Sequence, residues 1–323
     1  MSEVPKLLRN LHIAAAGIHL FSCIFSVIVH TDTISGKITL PHHTYMADPT
    51  AAQRELIVNT TTTHEPVLYT NPITWISANE GFTFFSHILA LFLMYRTKNL
   101  NEFENTRRTI EYSLTAGILQ VALVLGIGSV ALYDVLMLLM INLAIQLLGW
   151  VWEKTTDAFI KPYLMGVAFG LLLVEIIYVI GQSLNLNGIE PSGYIVMGIF
   201  YAIFYILFGI VKIVPILHKH QNEIYILMSV TSKVALSWIL IGNTYVGLNE
   251  LGVDSVPLDH TDLDWRAIQY VIAIICALLL VAGSIYVVNR RDKEMSASSN
   301  YNLPEKNVQL TRTTRTNFKT INF

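Results

Sequence analysis

The sequence predicts an all-α membrane protein, and three observations lead to this fold class. The chain has 323 residues, of which 53% are hydrophobic and 14% charged, whereas soluble domains carry about 25% charged residues. Its mean hydropathy is positive, at +0.51. Its apolar runs are long enough to span a bilayer, where each must form a helix because lipid cannot satisfy backbone polar groups. These runs are 6–29, 74–95, 100–128, 131–151, 161–184, 192–216, 221–244 and 266–289.

The runs divide the chain into three parts. Residues 1–244 are predicted to form a bundle of seven membrane-spanning helices. Residues 245–289 form an acidic loop and an eighth C-terminal transmembrane helix, and residues 290–323 form a basic, polar tail that is typical of disorder. The long loop at 30–73 contains β-prone stretches between turn residues, which favour a small sheet or hairpin.

Lysine and arginine alternate from loop to loop. The N-terminus, the even-numbered loops and the tail after Arg290 carry them, whereas the third and fifth loops have none and the seventh is acidic until Arg266. Because positive residues favour the cytoplasmic side, both termini are predicted to be cytoplasmic. The first loop, 30–73, is then extracellular or lumenal.

The motif content argues against several classes of function. Cys23 and Cys276 both lie in apolar runs, where they form no disulfide or metal framework. The sequence contains no zinc-protease, phosphate-loop or nucleophile-elbow motif. The sequence therefore predicts no enzyme activity, no metal site and no nucleic-acid binding.

Lys233 is the most informative residue, because it lies about ten residues from the next formal charge within the seventh run. An ammonium at the membrane centre costs roughly 3 kcal/mol on insertion scales. That cost is offset by a salt bridge to another helix, by snorkelling to the surface, or by a covalent Schiff base on the amine. The residue alone does not decide between the three.

Further ionisable residues lie within the spans, and such residues are functional candidates by default. At about 1.5 Å of rise per residue, His19 and His87 are predicted to share the midplane layer with Lys233. Glu175 has no evident partner in sequence and is either protonated or part of a proton path. His12 is a further candidate in the first span.

The depth of Glu111 depends on where the third helix begins. A start near Leu100 places Glu111 in the layer of Lys233, and no proline or glycine prevents that start. A start at Arg107 would instead make Glu111 an interfacial carboxylate paired with Arg107 or Arg108. The earlier start is our prediction.

Residue spacing in the later runs gives weaker signals. Ser229, Lys233 and Ser237 are four apart and share one helix face, so the hydroxyls either bond groups near the amine or simply pack. The step from Gly166 to Gly170 is typical of close helix packing. An aromatic stripe in the sixth run is typical of a core but would also suit a flat polyene, and its members are Tyr201, Phe204, Tyr205 and Phe208.

Two motifs resemble the heliorhodopsin family of retinal proteins. They are Arg107–Ser113 in the third run and Ser229–Lys233 in the seventh, and the contexts of His19 and His87 also match. The resemblance covers about residues 6–244. The resemblance implies a seven-helix rhodopsin-like bundle in an orientation inverted relative to other microbial rhodopsins. Heliorhodopsins have a cytoplasmic N-terminus, which is the orientation that the charge pattern predicts.

The resemblance implies all-trans retinal bound to Lys233 as a protonated Schiff base, with Glu111 as its counterion and Ser229 nearby. His19 and His87 become polar members of the Schiff-base cavity that receive or relay its proton. The remaining candidates are Ser237, Tyr112, Thr115 and Tyr205 for cofactor binding, and Glu175, Glu190 and Arg108 for proton transfer.

The function implied by the resemblance is light sensing in a lipid bilayer, by a homodimer that acts on an unidentified signalling partner. In the family, the first loop forms a small sheet that helps the dimer assemble. One alternative is a light-driven proton channel or pump, which the extra carboxylates favour. Another is a retinal-free receptor or transporter with Lys233–Glu111 as a structural pair. The eighth run, 266–289, departs from the family pattern.

Overall fold

The computed structural model describes residues 5–29, 36–47, 58–126, 129–184, 192–250, 275 and 278–290. Seven helices of this described part are long and apolar enough to cross a membrane. In chain order the helices are α1 (Lys6–Ile28), α2 (Pro72–Leu93), α3 (Leu100–Gly126), α4 (Leu132–Lys154), α5 (Ile160–Leu184), α6 (Ser192–Ile213), the short α7 (Pro215–Lys219) and α8 (Gln221–Glu250).

Helix α3 begins at Leu100, so the earlier of its two possible starts is confirmed. The side chain of Asn99 accepts a hydrogen bond from the Glu102 backbone N–H at 3.2 Å, which satisfies one free donor of the first turn. Glu111 consequently lies about 16 Å along the helix at 1.5 Å per residue. That depth is close to half the thickness of a bilayer core.

The sixth apolar run is interrupted before its predicted end at residue 216. Helix α6 ends at Ile213, and Pro215 begins α7 after Val214. Proline cannot donate the backbone hydrogen bond that a continuing helix needs, and it is well tolerated in a first turn. The next span, α8, begins at Gln221 as predicted.

Helices α3 and α8 form the centre of the bundle. Within their spanning windows 72% and 78% of residues are buried, compared with 17–33% in the other five spans. The outer helices direct large apolar side chains such as Phe21, Phe92 and Leu173 outward, as lipid contact requires. Polar groups on α3 and α8 are therefore enclosed by protein.

A three-stranded sheet lies at one end of the bundle. The first loop contains β1 (Gly36–Ala47) and β2 (Val58–Thr70), which pair antiparallel, as expected for a hairpin. The short β3 (Ser129–Ala131), between α3 and α4, pairs in parallel with β1, with Lys37 opposite Ser129. The first and third loops therefore lie at the same end of the helices.

Only part of the predicted eighth helix lies within the described residues. That part, Leu278–Arg290, is helical and is called α9 here. Leu280 and Val287 of α9 are buried, and a Cβ placed on Gly283 would lie 3.0 Å from the side chain of Leu227 on α8. Most of the predicted acidic loop and the tail at 291–323 lie outside the described residues.

The close helix packing predicted at Gly166 and Gly170 is wrong for the described part of the chain. A Cβ at either position would meet no atom within 4 Å. The close approach occurs at Gly209 on α6, where a Cβ would lie 2.4 Å from Cζ of Phe169 on α5. Spacing identified a small-residue step but not which helix faces it.

We expect Gly209→Ala to destabilise the protein without retinal by about 1–3 kcal/mol, because the Phe169 ring must move to admit the methyl group. Thermal unfolding in detergent measures the change. Gly166→Ala is the matched control and should unfold like the wild type, since its added methyl group meets open space. Equal stability of the two variants would contradict the packing at Gly209.

Candidate functional site

The Lys233 amine on α8 lies in a buried polar site formed with α2 and α3. Its Nζ donates hydrogen bonds to Oε1 of Glu111 at 2.8 Å, to Thr83 at 2.8 Å and to Thr115 at 2.9 Å. An ammonium has three N–H donors, so these partners satisfy it completely. Lys233 is only 4% exposed, which excludes snorkelling.

Both oxygens of the Glu111 carboxylate have partners. Oε1 accepts from Lys233, whereas Oε2 accepts from Nη1 of Arg107 at 2.5 Å and from the hydroxyl of Ser86 at 2.8 Å. Arg107 lies one turn before Glu111 on the same face of α3. Glu111 is therefore buried and not interfacial, but it contacts both Lys233 and Arg107, so the arginine pairing of the alternative prediction is also present.

Glu104 continues this charged row, and the sequence analysis missed it. Arg107 donates from Nε to Oε2 of Glu104 at 3.1 Å, and Glu104 is 1% exposed. Glu104, Arg107 and Glu111 are spaced by three and four residues, which places them on one helix face. Once α3 is known to begin at Leu100, this spacing is the sequence signal that places Glu104 beside Arg107 and Glu111.

A row of histidines lies beside the carboxylates. His12 on α1 has Nε2 3.2 Å from Glu104 and Nδ1 2.8 Å from Nδ1 of His87 on α2. The rings of His87 and His19 stack at 5.7 Å, and Nδ1 of His19 lies 2.5 Å from Oε2 of Glu80. His19 and His87 thus lie together, as depth counting predicted, although neither is among the hydrogen-bond partners of the amine.

Glu80 on α2 is the other buried carboxylate that the sequence analysis missed. It is fully buried, and its Oε1 accepts a hydrogen bond from the hydroxyl of Ser237 at 2.7 Å. Ser237 therefore bonds a neighbouring carboxylate instead of the amine of Lys233. Ser229 is buried one turn before Lys233 but is not among the partners of its Nζ.

A cavity with an empty volume of about 930 Å³, which includes the space at its open mouth, extends from Lys233 between α3, α4, α5, α6 and α8. Aromatic side chains form much of its wall. The ring of Tyr112 has its centroid 5.0 Å from Nζ of Lys233, and the hydroxyl of Tyr205 donates to the backbone of Ala116 at 3.3 Å. Phe169 and Phe208 also line it.

A second charged group lies on the cavity wall. Oε1 of Glu153 accepts from Lys212 at 2.5 Å and from Arg108 at 3.3 Å, and the Arg108 guanidinium lies 4.1 Å from the ring centroid of Tyr225. Arg108, a candidate for proton transfer, therefore contacts Glu153, while Arg107 contacts Glu111. Lys212 is a second cavity amine, which the sequence analysis counted only as a loop charge.

Glu175 on α5 lies apart from these groups. It accepts a hydrogen bond from Nε2 of Gln120 at 2.8 Å, and the same nitrogen lies 2.8 Å from the hydroxyl of Tyr201. Gln120 is nine residues after Glu111 on α3, which corresponds to about 13 Å along the helix. The last proton-transfer candidate, Glu190, lies outside the described residues.

Comparison with known protein families agrees with this arrangement. The heliorhodopsin family model matches residues 8–245. The chain belongs to the heliorhodopsin family. The match ends within α8, before the predicted eighth span. No curated protein sequence matches the chain. Membership in the heliorhodopsins implies an integral membrane protein with a retinal chromophore, of the microbial light-sensing type.

The residues around Lys233 suit a retinal group of the kind that heliorhodopsins carry. Retinal is a polyene aldehyde, so it needs a primary amine at the edge of an apolar cavity. Lys233 would provide that amine, and Tyr112, Phe169, Tyr205 and Phe208 would hold the polyene.

We expect Arg107→Met to destabilise the retinal-free protein by about 3–5 kcal/mol, because it leaves Glu104 and Glu111 without the cation between them. Thermal unfolding in detergent measures this loss, and the exposed Arg96→Met is the control. Adding Glu104→Gln to Arg107→Met should recover part of the stability. Wild-type stability of Arg107→Met would show that the carboxylates do not depend on the guanidinium.

Proposed function

We propose that the protein is a light sensor that carries all-trans retinal on Lys233 as a protonated Schiff base, with Glu111 as its counterion. The observation that carries this proposal is the buried 2.8 Å contact between Lys233 and Glu111 at the edge of an aromatic cavity. Bound retinal supplies light absorption and isomerisation of a double bond. Family membership supports the chromophore.

The acceptors around the amine define how this chain would hold the remaining proton. A protonated Schiff base keeps one N–H, whereas the free ammonium has three. Among its acceptors, Glu111 forms the charge-assisted and therefore strongest bond, while Thr83 and Thr115 offer neutral hydroxyls. Arg107 and Ser86 occupy the other oxygen of Glu111, so its Oε1 is directed at Lys233.

Lys212 also lines the cavity, and two features favour Lys233 as the attachment site. Lys212 lies in the last turn of α6, where it bonds Glu153 and the backbone of Gly149. Lys233 is enclosed by three helices and carries the heliorhodopsin motif that ends at this residue.

The hydrogen-bonded histidines favour a sensor that keeps its proton. His87 contacts both His12 and His19, so a proton that leaves the Schiff base has a buried acceptor nearby. Glu175 is the carboxylate that would carry a proton away from the Schiff base, but its contacts are with Gln120 and Tyr201. We therefore propose return of the proton, not transfer across the membrane.

We also propose that both termini are cytoplasmic and that the first loop, 30–73, lies outside. The alternation of Lys and Arg supports this, and the pairing of β3 with β1 places the first and third loops at one end. The close approach of Gly283 to α8, where an added Cβ would lie 3.0 Å from the side chain of Leu227, supports the eighth membrane helix predicted at 266–289. A homodimer, a signalling partner and the absence of enzyme activity complete the proposal.

Lys233→Ala should abolish the visible absorbance band that the wild type forms with all-trans retinal, because the amine that forms the Schiff base is removed. An added alkylamine should restore part of the band by occupying the vacated space. The matched control is Lys212→Ala, which should keep it. A visible band in Lys233→Ala without added amine would contradict the proposal.

We expect no photocurrent in retinal-supplied cells under strong light at any holding voltage, because the proton is held within the bundle. Whole-cell recording on cells with verified surface expression measures it. A current that reverses with the proton gradient and disappears in Glu111→Gln would contradict the sensor and favour the proton-conducting alternative.

A further inference from the structure

We propose that Glu80 is a second carboxylate that balances the charge of the Lys233 cation when Glu111 is neutral, and that His19 controls the charge of Glu80. This inference rests on the proposed function, because the Schiff base must form on Lys233. It adds a residue outside the motifs by which the heliorhodopsin resemblance was established. Glu80 is placed in this role by its neighbours on two helices.

The position of Glu80 connects it to the amine along both α2 and α8. Thr83, three residues after Glu80 on α2, accepts a hydrogen bond from Nζ of Lys233 at 2.8 Å. Ser237, four residues after Lys233 on α8, donates to Glu80 at 2.7 Å. Residues three or four apart in a helix share a face, so Glu80 lies about one turn from the amine on each helix.

The surroundings of Glu80 contain both a proton source and the Lys233 cation. Nδ1 of His19 lies 2.5 Å from Oε2, and Nδ2 of Asn79 donates to Oε1 at 3.4 Å. Glu111 lies beyond the amine, on α3. The titratable and charged groups around this site are His12, His19 and Cys23 from α1, His87 from α2, Glu104, Arg107, Glu111 and Tyr112 from α3, and Lys233 from α8.

Within the contacts that join Glu80 to Glu104, the carboxylates outnumber the cations. Lys233 and Arg107 provide two cations, whereas Glu80, Glu104 and Glu111 provide three carboxylates. An unbalanced carboxylate in a low-dielectric interior is costly, and His12 and His19, beside Glu104 and Glu80, are the groups in these contacts that can hold a further proton. The His19–Glu80 contact is shorter than the 3.2 Å between His12 and Glu104, and we place the proton there.

This arrangement makes the Glu80 anion available when Glu111 becomes neutral. When Glu111 is protonated or replaced, the two remaining carboxylates, Glu80 and Glu104, balance the two cations, Lys233 and Arg107. A proton on His19 is then not required for charge balance. Glu80 then remains as a carboxylate about one helical turn from the amine, and no arginine binds it among the described contacts. The Schiff base would keep an anionic partner after Glu111 has taken up a proton from the medium.

The test is a pH titration of the absorbance of retinal-loaded protein in detergent, with sulfate as the anion so that no halide replaces a carboxylate. Glu111→Gln should keep a visible band at neutral pH. Deprotonation of its Schiff base is seen as a shift of the band to the near ultraviolet. The pH midpoint of this deprotonation should lie at least about two pH units above the midpoint measured for Glu80→Gln/Glu111→Gln.

Two matched variants separate a charge effect from a general effect of mutation. Glu175→Gln/Glu111→Gln removes a buried carboxylate that bonds Gln120 instead, and should titrate like Glu111→Gln. Glu80→Asp/Glu111→Gln retains a carboxylate and should recover most of the shift. Equal midpoints for Glu111→Gln and the Glu80→Gln double variant would overturn the inference.

The test remains decisive if the Glu80→Gln double variant does not bind retinal. Ser237→Ala/Glu111→Gln then removes only the hydroxyl that bonds Glu80, and its midpoint should fall below that of Glu111→Gln. An unchanged midpoint would overturn the role of Glu80. Absence of a visible band in the wild type would refute the proposed function itself, which is a different result.

Discussion

The buried contact between Lys233 and Glu111 is the constraint on which the rest of the structure depends. An ammonium enclosed by protein in the membrane must have an anion and two further acceptors, and Glu111, Thr83 and Thr115 supply them from two neighbouring helices. Removing one member of such a pair costs about 3–5 kcal/mol. The relative positions of α2, α3 and α8 are therefore fixed around the amine.

The same constraint explains why the polar groups form rows of alternating charge. Glu111 contacts Arg107, and Arg107 contacts Glu104, which approaches His12. Each buried charge thus has a partner of opposite sign or a titratable ring beside it. On the other side of Lys233, Glu80 and His19 form a comparable pair. The aromatic cavity opens from the amine between α3 and the helices α4 to α6, so the site has one ionic side and one apolar side.

Much of this could be predicted from the sequence. Apolar length gave the spans, and depth counting placed His19, His87, Glu111 and Lys233 in one layer, because rise per residue is nearly constant in a helix. Depth says nothing about which face meets which helix. Glu80, Glu104 and Lys212 were missed as site residues for that reason, and the packing expected at Gly166 and Gly170 was wrong. Partners across helices depend on packing that periodicity does not encode.

Chemical mapping of the attachment site tests the central claim most directly. Borohydride reduces a retinal Schiff base to a stable secondary amine, so the retinyl group can be located in proteolytic peptides by mass spectrometry. We predict that it is found on the peptide that contains Lys233. A retinyl group on Lys212, the other cavity amine, or on neither lysine, would contradict the assignment of the site.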